Sequence, residues 1–289
     1  MAGCGPDQGA YPYLRPDAGY PDGAPAEPAQ PQDNVIEDDP LEDWDTTGAG
    51  PLTGIFAVEL VIPAKVVSIA IESRELFRFR LLQHGRELRL RSQMCRLALP
   101  SVEAAELRVP LVLEMLIRSK GQEVQGEYLS ADEPVGASFA PPEVLVVLGA
   151  TLAKPGTDPL PTPEDPATAR DEDRDGKPGV TLLASTAICV QTEKLYVAVR
   201  ATGALSGTVE SLDAVAGQAQ SALDQSVLGY SHECLSIAAG LSIEILPGAT
   251  FRAVRVGSQL DVNHNGNVTC GEIVLAAPAL FGSFWSPGG

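Results

Sequence analysis

Residues 77–81 read Phe-Arg-Phe-Arg-Leu and residues 87–91 read Glu-Leu-Arg-Leu-Arg, with His84-Gly85 between them. Both arms alternate apolar with charged at a period of two, which puts the apolar side chains on one face and the charges on the other. Such a segment can bury only one side, so it predicts an antiparallel hairpin lying on a core. The same alternation runs through Phe56, Val58, Leu60 and Ile62, then Val67, Ile69 and Ile71. Further strands are expected at 107–117, interrupted or edged at Pro110, and at 144–148, 180–190, 195–200 and 251–256. Residues 211–228 differ: Leu212, Val215, Ala219, Ala222 and Leu223 stand at helical spacing with Gly229 as a C-terminal cap, which predicts a helix. The expected fold class is mainly β, an antiparallel sandwich or barrel in two halves with one or two helices.

Residues 1–50 hold eight prolines and eleven acids against the single Arg15, too little apolar surface to offset the entropy of ordering, so they read as a disordered acidic tail. Residues 51–154 form one β-rich half. The segment 155–178, with Pro155, Pro159, Pro161, Pro163 and Pro166, reads as an acidic linker, and 179–289 as the second half. The formal charge of −18 repels phosphate backbones and anionic lipid surfaces, which argues against a nucleic-acid partner. No stretch approaches the ~18 uninterrupted apolar residues of a membrane-spanning helix.

The chain opens Met1-Ala2-Gly3-Cys4-Gly5, which resembles the end of a bacterial lipobox. That resemblance implies that Cys4 is the lipidated first residue of an exported lipoprotein, with contact to a membrane only through that lipid. Setting Cys4 aside leaves Cys95, Cys189, Cys234 and Cys270, an even set without CxxC spacing. Such a set suits two disulfides in an oxidising compartment better than a zinc site; three pairings are open, and buried free thiols are the alternative.

Residues 261–272 read Asp-Val-Asn-His-Asn-Gly-Asn-Val-Thr-Cys-Gly-Glu. This resembles the EF-hand calcium loop, with Asp261, Asn263 and Asn265 at the first, third and fifth places, Gly266 at the sixth, Val268 at the eighth and Glu272 at the twelfth. Ca²⁺ is a hard ion that takes six to eight oxygens, so alternate side chains turn inward, the glycine permits the sharp turn, and the last glutamate closes the shell. By the resemblance Asn267 gives its backbone carbonyl, Thr269 holds a water and Val268 packs beneath the loop. The flanks depart from the family: 251–256 reads as a strand rather than a helix, and the run 273–277 is cut short by Pro278. Asn265-Gly266 is also a strong hairpin signal, so a tight turn pairing 259–264 with 267–272 is the competing reading. With only Asp261 and Glu272 charged, the expected affinity is about 10⁻⁴ to 10⁻³ M.

A second Asp-rich turn, Asp171-Glu172-Asp173-Arg174-Asp175-Gly176, resembles the first half of the same loop and the calcium turns of thrombospondin type 3 repeats. It departs from the loop pattern at Pro178 and Leu182, so Asp171, Asp173 and Asp175 form a weaker candidate site, and a solvated acidic linker is the bland alternative. Candidates for catalysis are few. The histidines are His84, His232 and His264, none in HExxH, and Gly229-Tyr230-Ser231-His232-Glu233 lacks the second glycine of a nucleophile elbow. The expected function is calcium binding by a non-enzymatic structural or binding protein of the bacterial cell envelope or exterior. A secreted hydrolase and a β-barrel carrier of an apolar ligand are the alternatives.

Overall fold

In the computed structural model, residues 44–286 are described, apart from 67, 68, 100, 103, 104, 187, 190, 237–242, 263, 265 and 266. The elements in chain order are β1 (Gly54–Val66), β2 (Ile69–His84), β3 (Glu87–Ala98), β4 (Ser101–Val102), β5 (Ala105–Arg108), α1 (Leu111–Ser119), β6 (Gln122–Glu127), β7 (Ser138–Phe139) and β8 (Val144–Leu148). They continue with β9 (Val180–Thr186), β10 (Glu193–Ser211), β11 (Ala214–Tyr230), β12 (Ile243–Ile245), β13 (Thr250–Val256) and α2 (Cys270–Phe281). The protein is mainly β and antiparallel, with two α-helices among the described residues.

The hairpin read from alternation is β2–β3, with His84 opposite Glu87 and Gly85 at φ 59° in the turn. Strand neighbours run β9-β10-β11-β13-β1-β2-β3-β6. The circuit then closes: Leu129, just past β6, bridges Phe139 of β7, and β7 pairs Gly207 and Thr208 of β10. The Ser130 amide donates to the Ser138 carbonyl (3.1 Å) and the Ala140 amide to the Tyr128 carbonyl (3.0 Å), completing the ladder. The result is a barrel whose interior is filled by Leu52, Phe56, Val58, Phe79, Leu88, Phe139 and Phe251 together with smaller side chains. The two halves expected from the sequence share this one sheet, because β10 pairs with β7 and β8, and β1 pairs with β12 and β13.

Two expectations are overturned by tertiary pairing. Residues 211–228 are not a helix: Ala214–Tyr230 is a strand paired with β10 along nearly its whole length. Its alternate residues Val215, Gly217 and Ala219 face inward, and Gly217 lies where β10 crosses so closely that a Cβ would overlap the Ser206 carbonyl and the Gly207 Cα. Glycine inside a helix costs about 1 kcal/mol relative to alanine, whereas here it permits the approach. Residues 107–117 are not one strand either. β5 stops at Arg108 and α1 begins after Pro110, since proline fits ahead of a first helical turn and Leu113 and Ile117, four apart, share the buried face. They pack on Val180, Ala184, Leu195 and Leu235. The strand expected over 180–190 ends at Thr186, where the chain turns so that Cys189 meets Cys234.

α2 lies outside the barrel, where Val268, Ile273, Ala277 and Trp285 cover Ala57, Leu76 and Cys95. Pro278 does not end it. Proline forfeits one amide donor, but Leu280 and Phe281 beyond it pack on the same cluster, which offsets that loss.

Alternation places Glu75 on the inner face of β2 with Phe77 and Phe79, opposite Leu60 and Leu97. Although part of its side chain reaches the surface, the apolar strands around it raise its pKa from 4.5 to about 7. An acid with a raised native pKa binds its proton more readily folded than unfolded, so stability falls as pH rises from about 4.5 to 7. Glu75→Gln is expected to flatten that stretch of a urea-unfolding pH series. Gly217→Ala is expected to cost about 1–3 kcal/mol by overpacking in the same assay, while Gly203→Ala, which meets open space, changes little.

Candidate metal centres

The turn at 171–181 is built around its own carboxylates. Asp171 accepts the amides of Asp175 (Oδ1, 3.0 Å) and Gly176 (Oδ2, 2.9 Å), which curls the chain back over that side chain. Arg174 at φ 60° and Gly176 at φ 83° supply the left-handed conformations this curl needs. The turn is anchored to the sheet edge: the Gly179 amide donates to the Arg170 carbonyl, the Thr181 amide to Asp173 Oδ2 (2.7 Å) and the Thr181 hydroxyl to Asp175 Oδ2 (3.0 Å). Lys194 Nζ of β10 lies 3.6 Å from Asp175 Oδ2.

This folding brings one oxygen from each of Asp171, Asp173 and Asp175 within 4.8 Å of one another. Asp173 Oδ1 is buried with no hydrogen-bond donor. Burial raises the Asp173 pKa; hydrogen bonding from Thr181 opposes that rise, and the charges of Asp175 and Asp171 add to it. Glu172 Oε2 is likewise buried without a hydrogen bond, but Lys120 Nζ at 3.4 Å balances its charge. Three convergent carboxylates, one of them with an orphaned oxygen, are a cluster that could hold a hard, oxygen-seeking divalent cation.

The loop at 261–272 enters from β13 and leaves as α2. Asn263, Asn265 and Gly266 lie outside the described residues; Asp261, Asn267 and Glu272 are all buried. Because Cys270 begins a helix, a hairpin pairing 259–264 with 267–272 is ruled out. Thr269 is the N-cap and Glu272 completes a capping box with it. Glu272 Oε2 accepts the Thr269 amide (2.7 Å) and hydroxyl (3.0 Å), and Oε1 accepts the Val262 amide (2.6 Å). One carboxylate thus ties the second residue of the loop to the ninth.

The barrel also grips this loop. Arg78 of β2 donates through Nε to the Val268 carbonyl (2.7 Å) and through Nη2 to Asn267 Oδ1. The side chain of Asn267 is therefore engaged with Arg78, and the atom the EF-hand pattern assigns to an ion is its backbone carbonyl. Val268 packs beneath the loop as expected. Cys270 is bonded to Cys95 of β3, and Trp285 Nε1 donates to Glu59 Oε1 at 2.7 Å, so both ends of α2 are fastened to the barrel.

Arg78, Thr181 and Lys194 also serve these turns, and no local motif marks them: Arg78 is one of several charged residues alternating along β2, and Thr181 and Lys194 reach the Asp turn only through the pairing of β9 with β10. Around 229–234, the Ser231 hydroxyl donates to Glu193 Oε2 (2.7 Å), His232 Nδ1 accepts the Cys234 amide (3.1 Å), and the Cys234 sulfur is bonded to Cys189. No family model, curated protein or solved structure matches this chain.

Arg78→Met leaves two buried acceptors without their donor and is expected to cost about 2–4 kcal/mol in urea unfolding. Thr269→Ala removes one helix cap and is expected to cost about 1 kcal/mol.

Proposed function

We propose that this is a non-enzymatic, Ca²⁺-binding protein of an oxidising compartment outside the cytoplasm, in which bound calcium fixes turns on a disulfide-stapled β-barrel used for structure or binding. The observation that carries this reading is the convergence of one oxygen each from Asp171, Asp173 and Asp175 within 4.8 Å, together with an Asp173 oxygen that is buried and lacks a donor. Like charges held this close repel, and a divalent cation removes the repulsion while satisfying the orphaned oxygen. Two disulfides, Cys95–Cys270 and Cys189–Cys234, support the oxidising compartment.

The loop at 261–272 is the second site of this proposal, with Asp261, Asn263, Asn265, the Asn267 carbonyl and Glu272 as ligands. In its present rotamer Glu272 already accepts hydrogen bonds from Val262 and Thr269 through both of its carboxylate oxygens. Binding through both of its oxygens would exchange the Thr269 bonds for the ion, so this site is the weaker of the two. Export as a lipoprotein through Cys4 belongs to the same reading. A carrier role is disfavoured by the large side chains that fill the barrel interior.

Calorimetric titration with CaCl₂ tests this. The expected result is saturable binding with Kd about 10⁻⁴ to 10⁻³ M. Asp173→Asn is expected to abolish the tighter component, and Asp261→Ala with Glu272→Ala the weaker one. Affinity should fall as pH drops, because Asp173 must release a proton to bind and its pKa is raised. No heat at several times ~10⁻³ M Ca²⁺ refutes the proposal.

A further inference from the structure

The two disulfides differ in what a reductant can reach. Cys95 and Cys270 are each 1% exposed and lie beneath α2 among Leu76, Ile273, Ala277 and Trp285. Thiol–disulfide exchange requires a thiolate to touch a sulfur, so that bond is closed to reagents while α2 stays docked. Cys189 and Cys234 are only half-buried, and the residues beside them are exposed: Ile188 at 60%, and His232 and Glu233. Neither cysteine lies in a strand. Cys189 is in the connection from β9 to β10, and Cys234 is in the 3₁₀ turn Glu233–Leu235 that follows β11.

The accessible bond is also one that the barrel can do without. Cys189 stands six residues before Leu195 and Cys234 four after Tyr230, and Leu195 pairs with Tyr230 in the β10–β11 ladder. Backbone pairing therefore already brings the two ends together. Three hydrogen bonds reinforce it: the Lys194 amide to Ser231 Oγ (2.8 Å), the Ser231 amide to the Lys194 carbonyl (2.9 Å) and the Ser231 hydroxyl to Glu193 Oε2 (2.7 Å). The covalent bond governs something more local. Leu235, next to Cys234 and fully buried, plugs a cluster made by Leu113 and Ile117 of α1 with Val180, Ala184 and Leu195. α1 has nine residues, too few to persist as a helix in water without that packing.

We propose that Cys189–Cys234 is a thiol–disulfide exchange site that takes a dithiol reductant, and that its opening releases Leu235 from the cluster beneath α1. One thiolate of the dithiol attacks a sulfur of the pair, forming a mixed disulfide and expelling the other cysteine as a thiolate. The second thiol of the reagent, once deprotonated, attacks its own sulfur in the mixed disulfide, departs as a cyclic disulfide and frees the remaining cysteine. Two electrons pass to the protein, and the two protons of the dithiol end on Cys189 and Cys234. An oxidised dithiol reverses the exchange. Cys95–Cys270 holds α2 on the barrel throughout, so one corner of the molecule opens while the fold persists.

The test is stepwise reduction of the full chain with dithiothreitol in EDTA, since the exchange needs no metal. Iodoacetamide trapping with peptide mass spectrometry reads which bond opens, and amide hydrogen exchange reads the consequence. Cys189 and Cys234 are expected to be alkylated at least about tenfold faster than Cys95 and Cys270. With that one bond open, residues 233–235 and 111–119 are expected to exchange at least about tenfold faster than in the oxidised protein, while β1 and β13 keep their protection. Cys189→Ser/Cys234→Ser should show the same local loosening without reductant. If that variant does not fold, the wild type reduced and trapped in its folded state decides the matter. Equal rates for the two bonds, faster opening of Cys95–Cys270, unchanged exchange at 233–235, or loss of protection in β1 and β13 overturns the proposal.

Discussion

Backbone hydrogen bonding around a closed circuit is the constraint on which the rest of this molecule rests. A sheet with two open edges would leave rows of amides and carbonyls unpaired. β7 spans only Ser138 and Phe139, yet it joins the end of β6 to the far end of β10 and turns a ribbon into a barrel. Closure surrounds Phe56, Phe79, Phe139 and Phe251 with strands on every side, and it lets β10 and β11 run on past the barrel to carry β8 and β9. α1 packs on that extension and α2 on the outer wall, so each helix covers sheet that the barrel leaves exposed.

Both acidic turns hang from this frame by the same device. A carboxylate accepts amides from its own turn, and a side chain from a neighbouring strand fastens the result. Asp171 gathers Asp175 and Gly176 while Thr181 holds Asp173. Glu272 gathers Val262 and Thr269 while Arg78 holds Asn267 and Val268. The two turns differ in what remains after this wiring. The first keeps three negative charges together with an oxygen that nothing donates to; the second has committed most of its glutamate to the fold. Sequence similarity to a calcium loop ranks 261–272 above 171–175, whereas charge and unspent acceptors reverse that order.

The limits of the sequence follow from which interactions are local. The β2–β3 hairpin was legible because alternation and a His-Gly turn specify it without reference to distant residues. Two disulfides were legible from an even cysteine count, but the pairing of Cys95 with Cys270 depends on a separation of 175 residues and on α2 docking, which no local pattern encodes. In 211–228 small residues fit helical and alternating templates equally, and the ladder offered by β10 decided the outcome. At 107–117 Pro110 suits a strand edge as well as the residue ahead of a helix, and the burial of Leu113 and Ile117 against β9 decides for the helix. The twelve-residue spacing located the loop at 261–272; the sequence did not reveal that an arginine from β2 would reach it, since one arginine on a wet face looks like the next.

The most direct test is an anomalous difference map from a crystal of the full chain grown with about 10 mM CaCl₂, well above the affinity expected of such sites. The predicted result is a peak about 2.3–2.6 Å from oxygens of Asp171, Asp173 and Asp175, with Asp173 Oδ1 among the ligands. A map without density there, with Asp173 Oδ1 instead bonded to an ordered water or protonated against its neighbours, would contradict it.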